Sequence, residues 1–135
     1  MAIFIRVCTV MLLLFSTVNV SVAEEVEVNI EQESKRLDVT ATAYNSLPAQ
    51  TDSTPNIAAW GDRLSPGMKV IAVSRDLLKK YGLKHKDKVK ISGLKGEYEV
   101  LDKMNKRWTK KIDIYMGKDR RKALKWGRKD VTIQW

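Results

Sequence analysis

The chain has 135 residues, with 25 Lys and Arg against 16 Asp and Glu for a net charge of +9, and it holds one His and one Cys. A chain of this length builds one compact domain around one hydrophobic core. With a lone His85 and with Cys8 in a segment expected to be removed, a conventional zinc site is excluded and no Ser-His-Asp triad is expected. The glycines are too few and too scattered for a phosphate-cradling loop, so no metal and no cofactor is anticipated.

At the N-terminus Arg6 precedes an apolar stretch from Val7 to Phe15, followed by the small-x-small pattern Ser21-Val22-Ala23. This predicts a secretory signal peptide over residues 1–23. Ser16, Thr17 and Asn19 interrupt the stretch, which is too short for a membrane span. From Glu24 onward 112 of the 135 residues remain, and they contain no cysteine. Export without disulfides suits a bacterial envelope protein, so periplasm, outer membrane or cell wall is the expected location.

Residues 24–36 form an acidic, polar segment carrying Glu24, Glu25, Glu27, Glu31 and Glu33, and are expected to be a flexible arm. Setting aside those five glutamates with Arg6, Lys35 and Arg36 leaves 22 basic against 11 acidic residues from Asp38 to the end. Such a domain attracts polyanions. In the cytoplasm the usual candidate is nucleic acid; for an exported chain the expected partner is instead the cell wall, with its peptidoglycan strands and their stem-peptide carboxylates. An envelope or outer-membrane association is compatible with the same charge.

The domain is predicted to start at Leu37, where Leu37, Val39, Ala41 and Ala43 alternate with Asp38, Thr40, Thr42 and Tyr44 as in a half-buried strand. A long irregular stretch from Asn45 to Gly67 holds all three prolines, Pro48, Pro55 and Pro66, and loops of that length are often functional. Lys69–Val73 is a second strand. Ser74 is placed as the N-cap of a short helix, Arg75–Tyr81, closed by Gly82. Val89–Ser92 and Glu97–Leu101 flank Gly93-Leu94-Lys95-Gly96 and should pair as a hairpin. Ile112–Met116 is a strand, Lys118–Trp126 a helix ended by Gly127, and Val131–Trp135 a last strand. Five or six short strands with two small helices predict a mainly β fold, a small barrel closed on itself.

Asp102 and Asp113 sit in apolar runs, Tyr98-Glu99-Val100-Leu101-Asp102 and Lys111-Ile112-Asp113-Ile114-Tyr115. A carboxyl on or beside a buried strand face loses hydration, and its raised pKa lets it keep a proton as a general acid must. A hairpin-like excursion between the two runs would bring them together, and paired carboxyls are the machinery of glycosidic-bond cleavage. Capping, or pairing with Lys103, Lys106, Lys110 or Lys111, would also account for them. Trp60 and Trp108 can stack on a sugar face and Arg107 can hold a carboxylate; equally, both indoles can plug the barrel ends. Tyr44, Asn45, Thr51, Asp52 and Asp62 either line a groove or serve as turn residues. His85, in Lys84-His85-Lys86-Asp87-Lys88, is expected in a solvated turn.

The series Thr42-Ala43-Tyr44, Gly67-Met68-Lys69-Val70-Ile71-Ala72-Val73, Val100-Leu101-Asp102, Lys111-Ile112-Asp113-Ile114-Tyr115 and Ala123 before Trp126-Gly127 resembles the 3D domain, named for three aspartates. The resemblance spans nearly all of Leu37–Trp135. It implies a six-stranded double-psi β-barrel, related to the catalytic domain of membrane-bound lytic transglycosylase A and to barwin-like domains. It further implies that Asp113 serves as acid and then base at the bond between N-acetylmuramic acid and N-acetylglucosamine, with Asp102 tuning the site. Many such domains carry Ala-Val-Asp-Pro after the middle strand; here the segment is Ala72-Val73-Ser74-Arg75. The competing expectation is a non-catalytic glycan-binding module of the wall.

Overall fold

The computed structural model describes residues 33–46 and 56–135. The expected signal peptide over 1–23, most of the acidic arm, and Pro48, Thr51, Asp52 and Pro55 of the long loop lie outside the described residues. Eight elements follow in order: β1 (Arg36–Tyr44), β2 (Val70–Val73), α1 (Arg75–Lys79), β3 (Lys88–Ile91), β4 (Glu97–Lys103), β5 (Lys111–Tyr115), α2 (Arg120–Trp126) and β6 (Lys129–Gln134). The strands close into a six-stranded mixed barrel in the order β1-β5-β2-β4-β3-β6. Closure leaves no open sheet edge, and so lets short strands with two small helices stand as a domain.

Two of the six pairings are parallel, β1 with β5 and β2 with β4, and the remaining four are antiparallel. The predicted hairpin is present, with Val89 opposite Tyr98. Lys35 and Trp135 exchange backbone bonds of 2.9 and 3.1 Å beyond the β1–β6 ladder, so the ordered domain starts slightly before the predicted Leu37.

Val39 and Ala41 of β1, Ile71 and Val73 of β2, Val100 of β4, Ile112 and Ile114 of β5 and Val131 and Ile133 of β6 fill the interior. A second apolar layer lies on the outer face: Val70, Leu101 and Tyr115 are covered by Ala58 and Leu64 from the β1–β2 connection, with Tyr44 at the margin. Both faces of β2 are therefore buried, which explains why Val70-Ile71-Ala72-Val73 is an unbroken apolar run rather than an alternating one.

Ser74 departs from its expected role. It stands before α1, but its side chain makes no capping bond. Instead its fully buried hydroxyl accepts from the Lys111 N–H at 3.0 Å, while its own N–H donates to the Lys111 carbonyl at 2.9 Å. The serine clamps the end of β2 to the start of β5. The helix itself is shorter than predicted and ends at Lys79, with Lys80 as its C-cap and Leu77 wholly buried as its anchor. Asp76 turns away from α1 to accept from the Lys110 N–H at 2.9 Å, which holds Lys110 at its positive φ of 43°.

Removing the Ser74 hydroxyl leaves a buried N–H without its acceptor, a loss of about 1–3 kcal/mol. Ser74→Ala is expected to lower the unfolding free energy by that amount in urea titrations with an unchanged m-value; a loss below about 0.5 kcal/mol, as at ordinary surface sites, would show that the clamp is unimportant.

Candidate functional site

Strand register brings the two aspartates into one row. Ala72 of β2 is opposite Asp113 of β5 on one side and opposite Asp102 of β4 on the other, and Thr42 of β1 is opposite Asp113 on its far side. The row across the barrel wall thus runs Thr42, Asp113, Ala72, Asp102. The two carboxyl-bearing residues are not neighbours, as a hairpin between them would make them, but stand two strand spacings apart, about 10 Å at the backbone. A register shift between Ile71 and Ala72 aligns Asp102 with Ala72; an unshifted parallel ladder would place Leu101 there.

Asp113 does not face the interior. Ile112 and Ile114 on either side of it are buried there at 0% and 1% exposure, so period-two alternation turns Asp113 outward, on the same face as Lys111 and Tyr115. The outer layer, rather than the barrel core, removes water from it. Burial pushes the Asp113 carboxyl up to about 6; the Thr42 hydroxyl and Lys111 oppose that rise, and the charge of Asp102 adds to it. Thr42 Oγ1 donates to Asp113 Oδ1 at 3.0 Å.

Asp102 has a different setting. Three donors converge on it: the Ala59 N–H at 2.8 Å and the Lys103 N–H at 2.9 Å on Oδ1, and the Tyr44 hydroxyl at 3.3 Å on Oδ2. Burial together with the charges of Asp102 and Asp113 holds the Tyr44 phenol far above the usual range, so that it remains a donor. Its ring meets that of Tyr115 at 5.5 Å. Tyr115 in turn shares a 2.9 Å bond with Ser46, and Asn45 donates to the carbonyls of Met116 and Gly117. Asn45 and Ser46, buried at 1% and 2% exposure, thus fix the strand ends that present Tyr44 and Tyr115, rather than lining a groove.

Trp60 and Trp108 border this centre through the lysines beside the two aspartates, Lys103 and Lys111. Trp60 is stacked on His85 with ring centroids 4.6 Å apart and lies under Lys103 Nζ at 4.7 Å. His85 is not a solvated turn residue: its ring is paired with Asp62 at 2.5 Å and covers the indole. Trp108 carries Lys111 Nζ at 3.6 Å and the Arg107 guanidinium at 4.9 Å over its ring. Both indoles therefore stack on the protein's own side chains, and Arg107 is engaged with Trp108. Asp52 lies outside the described residues.

Thr42, which with Lys111 opposes the effect of burial on Asp113, is not among the expected site residues. Thr42 had a signal, since it lies two residues before Tyr44 on the polar side of an alternating strand. Among the described residues no three His, Cys, Asp or Glu side chains gather as a metal site. The sequence matches no protein-family model and no curated protein.

The row can hold a proton on one carboxyl beside a second carboxylate fixed by donors, an arrangement suited to acid and base work at a single bond. Its folded form binds the Asp113 proton up to about pH 6, whereas an unfolded carboxyl releases it near 3.8. The protonated group thus favours the fold: that contribution is complete below pH 3.8 and is lost as pH rises through 6. Asp113→Asn, which keeps the acceptor for Thr42, is expected to become more stable relative to wild type by about 1–2 kcal/mol between pH 4 and pH 8, after allowance for solvent screening. Paired urea titrations at the two pH values measure it, and a difference independent of pH would refute a raised Asp113 pKa.

Proposed function

We propose that this chain is an exported 3D-domain protein, its barrel of the double-psi type, that cleaves peptidoglycan glycan strands by a lytic transglycosylase mechanism. The supporting observation is a carboxyl on the outer barrel wall that retains its proton to about pH 6 in a row with Thr42 and Asp102. The closed six-stranded barrel agrees with the fold that the sequence resemblance implies.

In this reading Asp113 gives its proton to the glycosidic oxygen as the bond from C1 of N-acetylmuramic acid breaks. The resulting carboxylate takes the proton of the C6 hydroxyl while that oxygen closes onto C1, so a 1,6-anhydro sugar forms and no water is consumed. Asp102 raises the Asp113 pKa by its charge and holds the Tyr44 hydroxyl in place. Thr42 orients the acidic oxygen by donating to its partner. The alternative, a non-catalytic wall-binding module, draws its support from the twofold excess of basic over acidic residues after Asp38.

Incubation of the chain from Glu24 onward with purified sacculi, followed by mass spectrometry of soluble products, separates the two. Anhydromuropeptides are expected, falling about 100-fold or more in Asp113→Asn and about tenfold per pH unit above pH 6 as the acid loses its proton. New reducing ends would mean ordinary hydrolysis, and sedimentation with sacculi without soluble products would leave binding alone.

A further inference from the structure

A cleft of about 740 Å³ opens where α2, the β3–β4 turn and the chain around Pro66–Lys69 face one another. Lys69, Lys118, Lys122, Lys125 and Lys129 ring it, against the single carboxylate of Asp119. That carboxylate is already engaged, accepting from the Lys122 N–H at 2.9 Å as the N-cap of α2. Among the described residues none of the five lysines is in an ion pair, though Lys69 Nζ donates to the Lys95 carbonyl at 2.7 Å and Lys129 Nζ lies 4.2 Å over the Trp126 ring at one side of the cleft. Five ammonium groups around one concavity repel each other, which lowers the cost of bringing anions among them.

The floor is apolar. Tyr98, Met116 and Trp126 line it, and the Trp126 Nε1–H donates to the Ala41 carbonyl at 3.3 Å, which fixes the indole against β1. Gly117, at φ 60°, lets the end of β5 approach Pro66 so closely that a Cβ would lie 3.2 Å from the proline Cα. A bare polyanion would leave such a floor unmatched. A short peptide that carries several carboxylates between small apolar side chains matches both rim and floor, and the volume is that of an ordinary ligand cleft.

The cleft also adjoins the end of the strand that carries Asp113. Tyr115 lines it and lies two residues beyond Asp113 on the same outward face of β5, about 7 Å further along the strand. We propose that this cleft is a subsite for the carboxylate-bearing peptide branches of the glycan strand, with the lysines on the carboxylates and the Trp126, Tyr98 and Met116 floor on the intervening apolar groups. The assignment rests on the glycan-cleaving reading of Asp113 for its ligand, though its test does not depend on cleavage.

Glycan chains released from sacculi, with peptide branches intact or removed by an amidase, are the two probes, titrated into the full chain carrying Asp113→Asn and followed by calorimetry. Branched chains are expected to bind about tenfold or more tightly than bare ones at low salt. The further pair Lys122→Glu and Lys125→Glu, both exposed, should bring the ratio of affinities near one while leaving the unfolding transition in place. Equal affinity for both probes, or a preference untouched by charge reversal, overturns the subsite. So does loss, through the same pair, of binding to vesicles of anionic phospholipid with no effect on branched glycan. If the subsite holds while wild type releases no soluble product, the cleavage reading fails alone; if wild type cleaves both kinds of chain equally and shows no preference in binding, the subsite fails alone.

Discussion

The position of β2 between β4 and β5 is the constraint on which the site depends. A parallel neighbour on one side and an antiparallel neighbour on the other bring residues distant in sequence to Ala72 from both directions. The smallest side chain that still forms a strand wall then lies between two carboxyls. A bulkier residue at Ala72 would crowd the space between the two carboxyls. The separation also moderates their coupling: at about 10 Å between backbones two like charges interact weakly, which accords with burial, and not Asp102, being the main influence on Asp113.

Burial there comes from an unusual source for so small a fold. The interior cluster is filled largely by branched aliphatic side chains. Desolvation of an outward carboxyl requires a second layer, and the connection between β1 and β2 supplies it through Ala58 and Leu64. The same connection delivers the Ala59 N–H to Asp102. One irregular segment thus sets the environment of both acids, drying the face beside one and supplying a donor to the other.

Much of the fold was legible because its physics is local. The alternation of β1, the glycine-bounded hairpin of β3 and β4, and the β-rich count with two short helices all follow from period and turn chemistry, and the closed barrel with two helices was found as expected. What stayed hidden depended on pairing at long range. Asp113 was recognised as a carboxyl in an apolar run, yet its direction follows from Ile112 and Ile114 having claimed the interior. The register shift beside Ala72 leaves no mark in composition. Ser74 had every feature of a helix cap until Lys111 arrived from 37 residues away, and His85 had a charged, solvated context until Trp60 and Asp62 packed against it.

The backbone bonds between Lys35 and Trp135 put the first and last strands of the barrel side by side at one end. Thr42 and Tyr44 lie at the other end of β1, and Lys129 at the far end of β6. Anything joined to the domain before Lys35 or after Trp135 leaves from a single spot about 20 Å from the aspartate row, at roughly 3.3 Å per strand residue. The domain can therefore be spliced into a loop of another protein, or held to a surface by either end, and still present its acidic row and lysine-rimmed cleft outward.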